Sequence, residues 1–201
     1  MEIEWSLAHP LHDVEDIVNM ADNIFGDEVK DLLTTERYIF RKNVTVASTV
    51  QIFDRSKEFL AVARDVSPEI GIRTKRLDKD TDGIEEIPVG IKNKLLGFCW
   101  FDRYGYTTYS NEEISNAKFH HVDLALPAKT RVKLINAMID QHILWAYQNG
   151  IPVVCSTSIR SDNSGFMRIH EKRGFKVSGS YAWIRTKEGL NGIKGIEIAN
   201  N

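Results

Sequence analysis

The sequence predicts an α/β (α+β) domain with a mixed, mostly antiparallel central sheet flanked by helices, and two stretches carry that expectation. The first is a strand–helix–strand unit. Residues 119–126, Phe-His-His-Val-Asp-Leu-Ala-Leu, read as a buried strand, and Pro127-Ala-Lys-Thr reads as a turn. From Arg131 to Tyr147 apolar residues recur at helical spacing (Leu134, Ile135, Met138, Ile139, Ile143, Leu144). Gly150 stops that helix, and residues 151–157, Ile-Pro-Val-Val-Cys-Ser-Thr, form the next strand. Such a unit demands a right-handed crossover, so residues 119–126 and 152–157 should run parallel. The second stretch is Asn163-Ser-Gly-Phe-Met-Arg-Ile-His-Glu-Lys-Arg-Gly-Phe175, a short amphipathic helix. Asp162 and Asn163 are good N-caps, Phe166, Ile169 and Phe175 supply an apolar side, and Gly174 suits the left-handed position that ends the helix.

The preceding elements follow in order. Glu2 to Ala8 fits a first strand, with Ile3 and Trp5 on one side. His12 to Phe25 has helical spacing through Val14, Ile17, Val18 and Met20, and Gly26 stops it. A second helix is expected over Asp27 to Arg41. In Val44 to Phe53 β-branched residues alternate as in a strand, and from the residues alone the choice between strand and helix stays open. Phe59 to Arg64 and Leu95 to Phe101 read as partner strands. Between them Arg73 to Gly83, dense in charge, is expected to be a loop or an extended hairpin, within a stretch from Asp65 to Lys94 that is either a solvated excursion or a lid over a substrate. Tyr104 to Asn116 reads as a polar connection whose tyrosines (Tyr104, Tyr106, Tyr109) either line a pocket or cover a sheet edge.

The order strand, basic turn, helix, strand, helix, Gly-Phe resembles the GNAT superfamily of acyl-coenzyme A-dependent N-acetyltransferases, as does the spacing from Asn163 to His170 to Gly174-Phe175. Usable motifs cover about residues 95 to 186. The resemblance implies the GNAT fold, a helix over 44–53, and Asp65–Lys94 as an insertion in one domain that ends in a tail at about 187–201. It also implies that the two parallel strands splay and admit acetyl-CoA. The pantetheine would meet the backbone at Leu124 and Leu126 and the side chains of Asn163 and Phe166. The family's cofactor turn is Arg/Gln-x-x-Gly-x-Gly/Ala, often met as Arg-Gly-x-Gly-Ile-Gly, and this chain has Arg131-Val132-Lys133-Leu134-Ile135-Asn136, with Arg and Ile in place and three glycines absent. Backbone amides donate to a pyrophosphate without glycine, while a branched Val132 narrows the approach. The expected phosphate site is therefore the amides of Val132 to Asn136 beside Arg131 and Lys133.

Acyl transfer to an amine needs a base for the attacking nitrogen and an acid for the departing thiolate. In arylalkylamine-type relatives, histidines six and four residues before the turn's Val serve a proton relay. Leu126 holds that Val's place here, so the positions fall on His120 and Val122. His120 is the candidate base, with Asp123 behind it. His170 stands where the family has a tyrosine that assists the leaving sulfur. Each histidine has a purely structural alternative, as a hydrogen-bonded core or helix residue. No metal site is expected, because His120 and His121 point to opposite faces of a strand. The acceptor implied is a small-molecule amine, a peptide or a protein lysine. The missing glycines and tyrosine keep open an inactive acyl-CoA-binding or protein-interaction module.

Composition bounds the rest. At 201 residues the chain can build one well-buried core. Twenty-six basic against 28 acidic residues, net −2, argue against a nucleic-acid binder. Cys99 and Cys155, both in apolar strand-like segments, read as reduced core residues. No apolar run suggests a membrane partner or signal peptide. The expectation is a cytoplasmic protein, monomeric or homodimeric.

Overall fold

The computed structural model describes residues 1–22, 36–70, 75–76, 84–85, 88–91, 93–108, 110–158 and 163–177. The expected helix stop at Gly26, the start of the second helix, Asp162, Tyr109 and the 187–201 tail lie outside these residues. Among the described residues the main sheet has five strands in the order β1 (Ile3–Leu7), β2 (Glu58–Asp65), β7 (Lys94–Thr107), β8 (Ser110–Val122), β9 (Val153–Ser156). All neighbours are antiparallel except β8 and β9, which are parallel. Helices α1 (Val14–Asp22), α2 (Arg37–Phe53), α3 (Ala128–Gln148) and α4 (Ser164–Lys172) flank it. Two short ladders lie outside the sheet within 65–94: β3 (Pro68–Ile70) with β6 (Pro88–Ile91), and β4 (Lys75–Arg76) with β5 (Ile84–Glu85).

Because helices cover both faces, the central strands are apolar on both sides, which is why β7 reads Leu-Leu-Gly-Phe-Cys-Trp-Phe without alternation. One core joins Leu96, Cys99, Phe101 and Val122 to Leu134, Met138, Ile139 and Trp145 of α3. The other joins Leu60, Val62, Phe98 and Trp100 to Ile17 and Val18 of α1 and Val44 and Ala47 of α2. Gln51 stitches α2 to the sheet: its amide nitrogen donates to Ala8 O (2.8 Å) and Leu60 O (3.0 Å), and its oxygen accepts Leu60 N–H (2.9 Å).

The helix that the resemblance implied over 44–53 is present, and two other boundaries differ from expectation. The ambiguous 44–53 segment is helix, the C-terminal part of α2, because one face must cover Leu60 and Phe98 whatever its β-propensity. Tyr104 to Asn116 is not a loose connection: β7 and β8 form one long hairpin, held by Arg103 pairing both carboxylate oxygens of Glu113 at 2.7 Å. The strand expected over 119–126 starts at Ser110 and ends at Val122, so Leu124 and Leu126 lie in the turn before α3. The Asp123 carboxylate closes that turn, accepting Ala125 N–H at 2.9 Å and pairing with Lys94 at 2.7 Å.

Candidate active site

The parallel pair β8/β9 builds the site by coming apart. Their ladder runs from Ile114/Val153 to Ala117/Ser156 and stops there, while β8 continues five residues further. The parting coincides with a β-bulge, since Trp100 opposes Phe119 and Phe101 opposes Ala117, leaving Lys118 as the extra residue. Beyond it, among the described residues, β8 has an open edge. Asp123 N–H bonds Leu96 O at 2.9 Å, and a Cβ on Gly97 would lie 2.6 Å from His121 O, so these two residues turn their peptide groups to β7. Alternation turns the peptide groups of His120 and Val122 to the open edge.

A cleft of about 620 Å³ fills the parting. Lys118, His120 and Val122 of β8 line one wall, Ser156 to Ser158 the other, and α3 and α4 close the end with Ala128, Arg131, Val132, Ile135, Phe166 and Ile169. Two helix N-termini open onto it. The first bonded amides of α3 are Thr130 and Arg131, both to Pro127 O, so the N–H groups of Ala128 and Lys129 lack an intrahelical acceptor. In α4 the first intrahelical bond is Met167 N–H to Asn163 O, after the cleft-lining Ser164 and Gly165. Arg131 is cationic, the Lys118 ammonium is paired with Glu58 and Asp102, and the lining residues include no carboxylate. The Nε of Arg131 is buried with no partner among the described residues. Such a cleft suits an anion.

The structure brings together only part of the expected site. Leu124, Arg131, Val132, Ile135 and Phe166 line the cleft, whereas Leu126, Lys133, Leu134, Asn136 and Asn163 do not. The expected phosphate amides need correction. Helix α3 begins at Ala128, so the N–H groups of Val132 to Asn136 are taken up inside it. Without glycines to hold the turn open, Ala128-Lys-Thr simply starts the helix early, and the free donors are those of Ala128 and Lys129. Asp123, in its ion pair with Lys94, does not line the cleft. Burial would raise its pKa, but its bonds to Lys94 and Ala125 outweigh that and leave it lowered.

His120 and His121 point to opposite faces, His121 against Phe98 and His120 into the core beneath α3 and α4. His120 lines the cleft, and neither ring nitrogen has a hydrogen-bond partner among the described residues. Burial first, then charge on His142 and His170 when those rings are themselves protonated, holds its pKa well below the usual histidine range. His170 is 2 % exposed, packed against Phe166 and Phe175, and does not line the cleft. Its Nδ1 lies 3.0 Å from Phe166 O, and a carbonyl only accepts, so Nδ1 carries the proton and Nε2 presents a lone pair. Burial lowers its pKa against the opposing effect of that bond. A neutral ring with a bare Nε2 is a proton acceptor; the acid role expected of this position requires a second proton that burial disfavours.

His142 went unrecognised in the sequence. It lies on the buried face of α3 among Met138, Ile139, Trp145 and Ala146, and that i, i+3, i+4 spacing was the signal. Its ring stacks on Phe101 (centroids 4.1 Å), and its Nε2 lies 2.7 Å from Ser115 Oγ. Ser115 donates its one proton to Asp102 O at 2.8 Å, so His142 Nε2 is the donor. The rings of His142 and His170 stand 6.1 and 5.9 Å from that of His120. Among the described residues no group of three His, Cys, Asp or Glu is arranged to hold a metal ion, and no helix is long and apolar enough to cross a membrane.

No family profile matches the chain, and no curated protein matches it. Solved structures do. A ribosomal-protein-alanine N-acetyltransferase from Brucella melitensis biovar Abortus 2308 superposes with a TM-score of 0.55 at 13% identity, over 92% of this chain and 99% of the other. An acetyltransferase from Trypanosoma brucei gives 0.52 at 12%, over the same shares. The chain has the GNAT fold. A transcriptional regulator from Bacillus halodurans C-125, at a TM-score of 0.57, 16% identity and again 92% and 99% coverage, is also similar to it. The GNAT fold by itself therefore names no activity, and function has to be argued from the cleft.

Proposed function

We propose that the chain is an acyl-CoA-dependent N-acyltransferase that moves acetyl from acetyl-CoA to a primary amine of a small molecule, peptide or protein. The observation that carries this reading is the open edge of β8, with the peptide groups of His120 and Val122 unpaired by β9, in a cleft that ends at two helix N-termini and Arg131. An arm bearing amides and ending in a pyrophosphate matches that arrangement. The peptide groups of His120 and Val122, with Leu124 and Phe166 alongside, would hold the arm. Arg131 and the amides of Ala128 and Lys129 would hold the phosphates, with Lys133 contributing only long-range charge. When bound, the thioester supplies the activated acyl group.

His120 is the base in this reading. Its lowered pKa keeps it neutral at pH 7, so its lone pair is available, and it takes a proton only from a nitrogen made acidic as its new bond forms. His170 occupies the place of the usual acid, but behind Phe166 and neutral, so sulfur leaves without a proton donated directly from that side chain.

The test is release of free thiol from acetyl-CoA across polyamines, aminoglycosides, arylalkylamines and lysine peptides. At least one should be acetylated, and His120→Ala should slow it about a hundredfold or more. Equal rates in both proteins would remove His120 from the chemistry. The amides closed inside α3 favour one second reading, a GNAT-fold module that binds acyl-CoA without turnover. Tight binding with no thiol released from any amine would assign it.

A further inference from the structure

Most buried polar atoms in a folded protein find a hydrogen-bond partner, so those that do not are informative. Three atoms without a partner among the described residues belong to one pair of rings: His120 Nδ1, His120 Nε2 and His170 Nε2. The rings lie 5.9 Å apart, centre to centre, at 44°, and no direct bond joins them. With no direct bond between the rings, a water between them would need two polar anchors, and the unpartnered nitrogens of the two rings can supply them. Among the described residues the other groups facing His120 are Cys99, its register partner on β7, Phe101, Phe166 on α4, and His142 on α3, whose Nε2 is committed to Ser115. No carboxylate is among them.

We propose that His120 and His170 act as one proton-holding pair, bridged by a buried water, with His170 as the positioning residue that accepts from His120. The proposal rests on the acyl-transfer reading. As the C–N bond forms, the nitrogen gives its proton to His120, and the charge is shared towards His170 Nε2. As the C–S bond breaks, the same proton returns through His120 to the sulfur. One proton leaves nitrogen, one arrives on sulfur, and the pair ends as it began. This assigns the residue in the tyrosine position to acceptance, the opposite of donation.

Nitrogen-15 NMR of histidine-labelled protein tests the pair without any substrate, so its outcome is independent of whether acetyl transfer occurs. In the wild type His170 should be the Nδ1–H tautomer, and the pair should take up a single proton, its second uptake lying at least about one pH unit lower. Removing the acceptor with His170→Phe should lower the His120 midpoint, and His170→Gln, whose amide oxygen can accept, should restore part of it. Two independent rings that merely repel predict the reverse, a higher His120 midpoint in His170→Phe. A raised or unchanged midpoint overturns the proposal, as does an Nε2–H tautomer of His170 in the wild type, which needs no variant to fold.

Discussion

His142 is 1 % exposed, and burial, followed by the charge of His170, lowers its pKa to about 4. A histidine whose folded value lies below its unfolded value of about 6.5 favours the folded state when neutral. Its contribution is complete above pH 6.5 and is lost as pH falls through 4, on the order of 3 kcal/mol from this group. His120 and His170 shift in the same direction and add to the loss. Urea unfolding followed from pH 7 to pH 4 should show stability falling steeply below pH 6.5, and His142→Gln should flatten the fall. A wild-type curve that is level across that window contradicts the three-histidine core. Gly97 is a second sharp position, since a Cβ there meets His121 O at 2.6 Å and Met138 Cε at 3.0 Å. The backbone oxygen cannot move without opening β7 from β8, so Gly97→Ala should cost about 1–3 kcal/mol in denaturant unfolding.

At the scale of elements, the ends of helices were more legible than the ends of strands. Gly150 and Gly174 stop α3 and α4 as read, with φ of +68° and +87°. Both stops are pairs of hydrogen bonds back onto the last turn: Ile151 N–H to Ala146 O with Gly150 N–H to Tyr147 O, and Phe175 N–H to His170 O with Gly174 N–H to Glu171 O. The second folds Phe175 edge-on against His170 at 5.0 Å, so the Gly-Phe pair seals the histidine from solvent. Gly174→Ala should therefore cost about 1 kcal/mol by thermal or denaturant melting and loosen that seal. No such punctuation marks where β8 ends or α3 begins. Apolar residues continue from Val122 through Leu124 and Leu126, and only the Asp123–Lys94 pair and the turn it closes break the strand. The strand–helix–strand order could be read from periodicity. The early start of α3, which decides which amides are free, depends on tertiary geometry.

At the scale of the molecule, three layers hold one sheet open along one line. Among the described residues the order β1-β2-β7-β8-β9 places the one parallel pair at the end of the sheet, where β9 can part from β8 without breaking either core. The GNAT-like order was visible in the sequence because its parts are local, a capped helix and a crossover. The histidine cluster was not, because His120, His142 and His170 come from three elements and meet only when α3 and α4 pack on β8. The central claim is that the parting of β8 and β9 is an acyl-CoA site with its phosphate end at Arg131 and the start of α3. Calorimetric titration of the wild type and of Arg131→Glu with acetyl-CoA tests it most directly. The account predicts saturable one-site binding to the wild type, weakened about tenfold or more when the charge beside the phosphates is reversed, a loss of about 1.4 kcal/mol. No binding to the wild type, or equal affinity in both proteins, would contradict it.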